Sequence, residues 1–168
     1  FGTDVRYGIA TAVDFSSQPH KVTIDDQKVI EAHTVIISTG ASAKWLGMES
    51  EARLNGNGVS ACAVCDGFFY RGQDVAIVGA GDTAAEEATY LSNICNKVYM
   101  IVRRDEMRAS TIMQERVKKT KNIEILWNTV TDEILGDDVV EAVRVRNVLS
   151  DELREIQVKG FFVAIGHK

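Results

Sequence analysis

The chain has 168 residues, a hydrophobic fraction of 45% and a formal net charge of −5. That is enough to bury an ordinary globular core, and the wrong sign for nucleic acid or an anionic membrane as the main partner. No apolar run nears the roughly 20 residues of a membrane helix, no signal-peptide pattern opens the chain, and three cysteines do not make a secreted disulfide framework, so a cytoplasmic setting is expected.

In chain order, residues 1–40 alternate short β-like runs with turns: "YGIATAVDF", "KVTID", "DQKVIEA" and "HTVIISTG". This pattern predicts a β-meander feeding a buried strand at Val35–Ile37, with no complete core of its own. The stretch "TGASAKWLG" is small and turn-rich, as a linker would be. Then the pattern changes. "DVAIVG" reads as a strand, and "DTAAEEATYLSN" as a helix with Ala84, Ala88 and Leu91 on one face and Glu86 and Glu87 on another. "KVYMIV" is a second strand, "ASTIMQERVKK" a second helix and "IEILW" a third strand. Such alternation predicts parallel strands joined by crossover helices. "TVTDEILG", "DDVVEAVRVRNV" and "EIQVKG" follow, with turns at Gly136-Asp137 and Ser150-Asp151 that predict an antiparallel extension. The final "FFVAIGHK" is again a buried strand closing on glycine, and it and "VIISTG" are expected to belong to a neighbouring domain. The expected fold is α/β: a Rossmann-like nucleotide-binding domain with a parallel sheet and an antiparallel β-meander.

Two motifs carry chemistry. Gly79-Ala80-Gly81-Asp82-Thr83-Ala84 lies between a strand and a helix, the context a dinucleotide fingerprint requires. Gly79 permits the tight turn, Gly81 lets backbone approach a pyrophosphate, and Ala84 stands where helix and strand pack closely. The helix N-terminus offers N–H donors to the phosphates. At the end of the next strand, where an acid would bind the ribose diol of NAD, stand Arg103, Arg104 and Arg108. Guanidiniums there suit a 2′-phosphate, hence NADP, although Asp105 and Glu106 leave room for a salt-bridged surface loop. The second motif is Cys62-Ala63-Val64-Cys65-Asp66. A lone C-x-x-C is half a zinc site, a structural turn or a redox dithiol. No further C-x-x-C or H-x-x-x-H supplies the remaining zinc ligands, and no metal site is expected. Two intervening residues at a helix start put the sulfurs within bonding reach and stabilise a thiolate. Asp66 can pass a proton as the dithiol forms and breaks, or it can cap a helix; both readings stand. Cys95, in "SNICNK", is expected to be an inert packed thiol.

Together, "CAVCDGFFYRG", "VGAGDTAAEEATYLSN", "RRDEMRAS", "STGASAKWLG" and "FVAIGHK" resemble the central part of the low-molecular-weight, NADPH-dependent thioredoxin reductases, over essentially the whole chain. The resemblance implies an FAD domain split by an inserted NADPH domain that carries the cysteines, with electrons running from NADPH to FAD, to the cysteine pair and to thioredoxin. The two domains would rotate so that nicotinamide and dithiol take turns at the flavin. It further implies that Cys62 attacks thioredoxin, Cys65 accepts electrons from the flavin and Asp66 is the acid/base. Gly79, Ala80, Gly81, Asp82 and Thr83 would hold the pyrophosphate, and Arg103, Arg104 and Arg108 the 2′-phosphate. The implied boundaries are 1–46 for a partial FAD-domain segment, 47–158 for the NADPH domain and 159–168 for a return segment. Thr39–Ala43, Lys44–Gly47 and Lys159–Gly160 would lie at or near the crossings, and the full-length protein would be a homodimer. Two departures stand out: Val64 where threonine is usual, and Val102 where a histidine commonly precedes the arginines. The family's glycine fingerprint for FAD and its C-terminal flavin segment do not occur in this sequence, which is therefore expected to be a fragment that binds NADPH without turning over. Two other readings are a flavoprotein that feeds a peroxidase system from NADH, and a non-catalytic NADP-binding module whose cysteines sense oxidation.

Overall fold

The computed structural model describes residues 2–167 and divides into two compact units, Phe1–Gly40 and Ala41–Lys168. In the first unit, β1 (Ala10–Asp14), β2 (His20–Ile24) and β3 (Lys28–Ala32) form an antiparallel meander in the order β1-β2-β3. Asp25 and Asp26 make the β2–β3 turn at φ 53° and 58°, a left-handed conformation that a short polar side chain tolerates. The strand expected at Val35–Ile37 does not form: the segment is unpaired, with Ile36 85% and Ile37 69% exposed. A strand exists only where a neighbour takes its N–H and C=O groups, and among the described residues none does so at this segment.

The second unit is built on a five-stranded, all-parallel sheet. Its strands are β4 (Val59–Ser60), β5 (Asp74–Val78), β6 (Lys97–Ile101), β7 (Ile123–Leu126) and β11 (Gly160–Val163), in the order β4-β11-β5-β6-β7. The terminal run, expected to return into another domain, is thus an inner strand of this sheet, which runs past the expected boundary at 158. The reason is its composition: Phe161 and Phe162 are both fully buried, one on each face, and such a strand needs cover on both sides.

The pleat sorts the core. Val75, Ile77, Val98, Met100 and Phe162 face α3 (Asp82–Ser92), whose Ala84, Ala85, Ala88 and Leu91 are all fully buried. Ala76, Val78, Ile101 and Phe161 face the opposite layer with Ile134, Val143, Val145 and Ile156. Those side chains come from β8 (Thr129–Leu135), β9 (Ala142–Asn147) and β10 (Leu153–Gln157), the antiparallel meander expected from the turns. The domain is therefore three layers: helices α3 and α4 (Thr111–Lys119), parallel sheet, antiparallel meander. Two short helices complete it, α1 (Glu49–Arg53) and α2 (Ala63–Asp66), the latter running into a 3₁₀ turn at Gly67–Tyr70.

Gly79, between β5 and α3, has φ 149°. A Cβ there would fall 2.3 Å from the Ala164 carbonyl oxygen and 2.7 Å from the Ala84 Cβ. No other residue fits without moving backbone, so the first glycine of the fingerprint is fixed by packing as well as by the turn.

Candidate functional site

The nucleotide-type turn and the arginine loop form one cleft. Gly81 is the N-cap of α3 and supplies no side-chain cap, so the first-turn amides of an eleven-residue helix are free of a side-chain acceptor. The loop after β6 is pinned to this turn: the Arg108 and Ala109 N–H groups both donate to the Ala80 carbonyl, at 2.7 and 3.0 Å. Asp82 adds a second tie, its Oδ1 accepting from the Ser110 N–H (2.9 Å) and hydroxyl (2.8 Å). Those two bonds, the amide first, hold the Asp82 carboxyl below its ordinary value. Its side chain is thus a structural clamp, while Thr83 stays exposed on the first turn. Arg103, Arg104 and Arg108 are exposed, and among the described residues none has an acidic partner within 4 Å. The salt-bridged loop therefore does not form. With Gly79 and Ala80 the three arginines line a cleft of about 270 Å³. Val102 lies fully buried in the helix-side core.

The second centre is a corner between β4 and α3. Cys62 is the N-cap of α2, its Sγ accepting from the Cys65 N–H at 3.2 Å, and the two cysteines are joined as a disulfide with Cα atoms 5.3 Å apart. Cys65 is exposed and Cys62 half-buried, and the exposed apolar side chains Val64, Phe68 and Phe69 flank the pair. Asp66 caps nothing: its side chain makes no cap bond to the following turn. Instead its Oδ2 accepts from the Ser60 hydroxyl at 2.6 Å, while Ser60 Oγ accepts from the Cys62 N–H at 3.0 Å. The helix-cap bond thus does not form, and the carboxylate is tethered beside the cysteines. Ser60 escaped sequence reasoning because a serine on a strand carries no pattern of its own; its place two residues before Cys62 is the only signal.

One helix supports both centres. A Cβ on Gly67 would lie 2.9 Å from Leu91 and 3.3 Å from Tyr90, so α2 and its 3₁₀ turn rest directly on α3. Tyr70 turns inward, edge-on to Phe162 with ring centroids 5.6 Å apart, and burial, with Asp66 adding, raises its phenol. Glu87, expected on a face of α3 away from the apolar stripe, is half-buried, and its Oε2 has neither solvent nor a hydrogen-bond partner among the described residues. Burial pushes its carboxyl up to about 6, against the pull of the Ala63 N–H and with Glu86 repelling. Cys95 is buried, and burial together with Asp74 raises its thiol to about 11.

Glu87 makes stability depend on pH. Between its ordinary 4.5 and about 6 the folded chain binds this proton and the unfolded chain does not, so stability falls as pH rises through that window. The gap corresponds to about 2 kcal/mol, or about 1 kcal/mol once halved for the part-exposed position. Glu87→Gln is expected to be more stable than the parent by about that amount at pH 7 and equal to it near pH 4, measured by urea unfolding. An unchanged pH dependence would show that Glu87 is not the group responsible.

Comparison with known proteins adds to this geometry. Residues 2–168 match the model of the pyridine nucleotide-disulphide oxidoreductase family. The chain is 48% identical over 172 residues to a thioredoxin reductase of Vibrio cholerae, covering 100% of this chain and 54% of the relative. Among solved structures, the thioredoxin reductase of Giardia duodenalis superposes with a TM-score of 0.81 at 40% identity, over 99% of this chain and 54% of its own. That of Lactococcus lactis superposes at 0.78 and 35%, over 97% and 54%. The chain spans about half the length of the curated relatives it matches.

Proposed function

Because the chain belongs to the pyridine nucleotide-disulphide oxidoreductase family, we propose that it is the NADPH-binding and disulfide-bearing part of a thioredoxin-disulfide reductase. The observation that carries this reading is the shared support of α3: the Gly79–Ala80 turn that leads into it lines the arginine cleft, and Tyr90 and Leu91 near its end seat the turn that follows the Cys62–Cys65 disulfide. Two centres on one rigid helix can be presented in turn to the same third group.

The donor set fits NADPH. Gly79, Ala80 and Gly81 with the amides of Asp82 and Thr83 would hold the pyrophosphate, and Arg103, Arg104 and Arg108, unpaired and exposed, the 2′-phosphate. The family also implies a flavin, and the described residues offer no second glycine turn for its phosphates. In the full-length protein FAD would supply the two-electron relay between hydride and disulfide. The remaining chemistry belongs to this chain. Once Cys62 and Cys65 are reduced, Asp66 takes the proton of the attacking Cys62 thiol, and the thiolate attacks one sulfur of thioredoxin's disulfide. A Cys62–thioredoxin bond forms, the substrate's S–S bond breaks, and the leaving thiolate receives the proton. Cys65 then attacks Cys62, restoring the Cys62–Cys65 disulfide and releasing the second thiol, so two electrons have passed to the substrate. The exposed apolar flank of Val64, Phe68 and Phe69 suits a protein partner rather than a small thiol. The full-length protein would act as a cytoplasmic homodimer; in the described residues no helix is long and apolar enough to cross a membrane.

The test is direct. The 168-residue chain is expected to bind NADPH, seen by quenching of its tryptophans, and not to oxidise it with oxidised thioredoxin present. The full-length flavoprotein is expected to oxidise it. NADPH oxidation by the flavin-free chain would overturn this order of electron transfer.

A further inference from the structure

We propose that Ser60 is the positioning residue of the Asp66 acid/base, its hydroxyl holding the carboxylate in place and coupling it to the backbone of Cys62. The inference rests on the reading of Asp66 as the group that moves the proton in thiol–disulfide exchange.

Ser60 ends β4, opposite Phe162 of β11, and it is buried. A hydroxyl in such a place is costly unless hydrogen-bonded. Its bonds all run to one corner: it donates to Asp66 Oδ2 at 2.6 Å, accepts from the Cys62 N–H at 3.0 Å, and lies 3.4 Å from the Cys62 carbonyl oxygen. A hydroxyl has a single proton to give. While Asp66 is a carboxylate that proton goes to Oδ2, the nearer acceptor. When Asp66 carries a proton it can donate to Ser60 Oγ, and the hydroxyl is freed to turn to the Cys62 carbonyl. Ser60 can therefore follow both states of Asp66 without moving its own chain, because β4 is locked to β11. Alanine would keep the strand and remove the tether. Besides the cysteines, the titratable groups bearing on this corner are Tyr70, whose phenol Asp66 helps to raise, and Glu87, which faces the Ala63 N–H from α3. Neither hydrogen-bonds to the Ser60 hydroxyl, whose partners among the described residues are Asp66 and Cys62.

The experiment follows reduction of the disulfide in the 168-residue chain by dithiothreitol across pH 5–9, in the parent, Ser60→Ala, Ser60→Thr, Asp66→Asn and the Ser60→Ala/Asp66→Asn double variant. Asp66→Asn is expected to slow reduction at least about tenfold, within the usual reach of a positioned proton donor. Ser60→Ala is expected to slow it roughly fivefold, because the carboxylate loses the donor that holds it beside the cysteines. Ser60→Thr should restore the rate, and Ser60→Ala should add nothing in the Asp66→Asn background. An unchanged rate in Ser60→Ala overturns the inference alone, as does an equal slowing in the Asp66→Asn background. An Asp66→Asn variant as fast as the parent overturns the inference and the acid/base reading together. Should Ser60→Ala not fold, magnetic resonance on the unaltered chain decides: the Cys62 amide is expected to titrate with the same midpoint as the Asp66 carboxyl carbon, and different midpoints overturn the coupling.

Discussion

Replacing Arg103 and Arg104 together by serine is expected to weaken NADPH binding to this chain by about two to four orders of magnitude and to leave NADH binding within about threefold of the parent. Each hydrogen bond to a charged group contributes about 1.5–3 kcal/mol, so losing two sets of them costs about 3–6 kcal/mol. Since about 1.4 kcal/mol is tenfold, a hundredfold loss is the conservative end. The selectivity follows from where the arginines stand. They are exposed and make no ion pair within the described residues, so their loss leaves no partner stranded and should not change the unfolding midpoint. The loop they occupy is held by backbone bonds to Ala80 and by the Asp82–Ser110 clamp, which serine does not disturb. Val102 leaves the arginines to act alone, because it is buried in the core below them. Isothermal titration with both nucleotides measures the effect. Equal affinity of the unaltered chain for NADH and NADPH would remove the assigned role of the arginines and favour an NADH-using flavoprotein of the peroxidase-feeding kind.

The same contrast between backbone and side chain explains how much of this protein could be read in advance. The strands β5, β6 and β7 and the helices α3 and α4 were legible because each announces itself within a few residues: a strand as a short apolar run such as Val75–Val78 ending at glycine, a helix by a stripe such as Ala84, Ala88 and Leu91. The site's backbone was legible for a related reason, since the turn by itself favours glycine at Gly79, although the close approach of the Ala164 carbonyl, a second reason, comes from far along the chain. What could not be read depends on contacts across the chain. An apolar run does not say which sheet it joins, so "FFVAIG" and "VIIS" looked alike, yet one became an inner strand and the other has no partner among the described residues. Helical period put Glu87 on a face away from the apolar stripe. The redox turn then covered that face, because Gly67 lets α2 settle onto Leu91 and Tyr90. Ser60 and Asp82 act through single side-chain hydrogen bonds to Asp66 and Ser110, and a bond to a residue 6 or 28 positions away leaves no periodic trace in either partner.

The roles proposed for the two cysteines yield the second large effect. After reduction, Cys65→Ser is expected to capture oxidised thioredoxin as a stable one-to-one mixed disulfide, whereas Cys62→Ser is expected to capture it at least about a hundredfold more slowly. In Cys65→Ser the Cys62 thiolate would attack one sulfur of thioredoxin and its partner sulfur would leave with a proton, but no second thiol would remain to displace Cys62, so the adduct would persist. In Cys62→Ser the nucleophile itself is missing. Cys95 does not confuse the result. Its thiol lies at about 11 and is buried, so its thiolate fraction at pH 7 is on the order of one in ten thousand. The variants should fold alike, since the disulfide closes a loop of only a few residues and such loops restrict the unfolded chain little. Exposure argues the other way, because Cys65 is the more accessible residue and Cys62 is half-buried. Capture through Cys62 therefore requires thioredoxin to seat on the apolar flank of Val64, Phe68 and Phe69, and Phe68→Ser is expected to slow it. Mass spectrometry of the adduct and of its peptides reads the outcome: preferential capture by Cys62→Ser would exchange the two roles, and no capture by either would leave the pair a sensor of oxidation rather than a carrier of electrons.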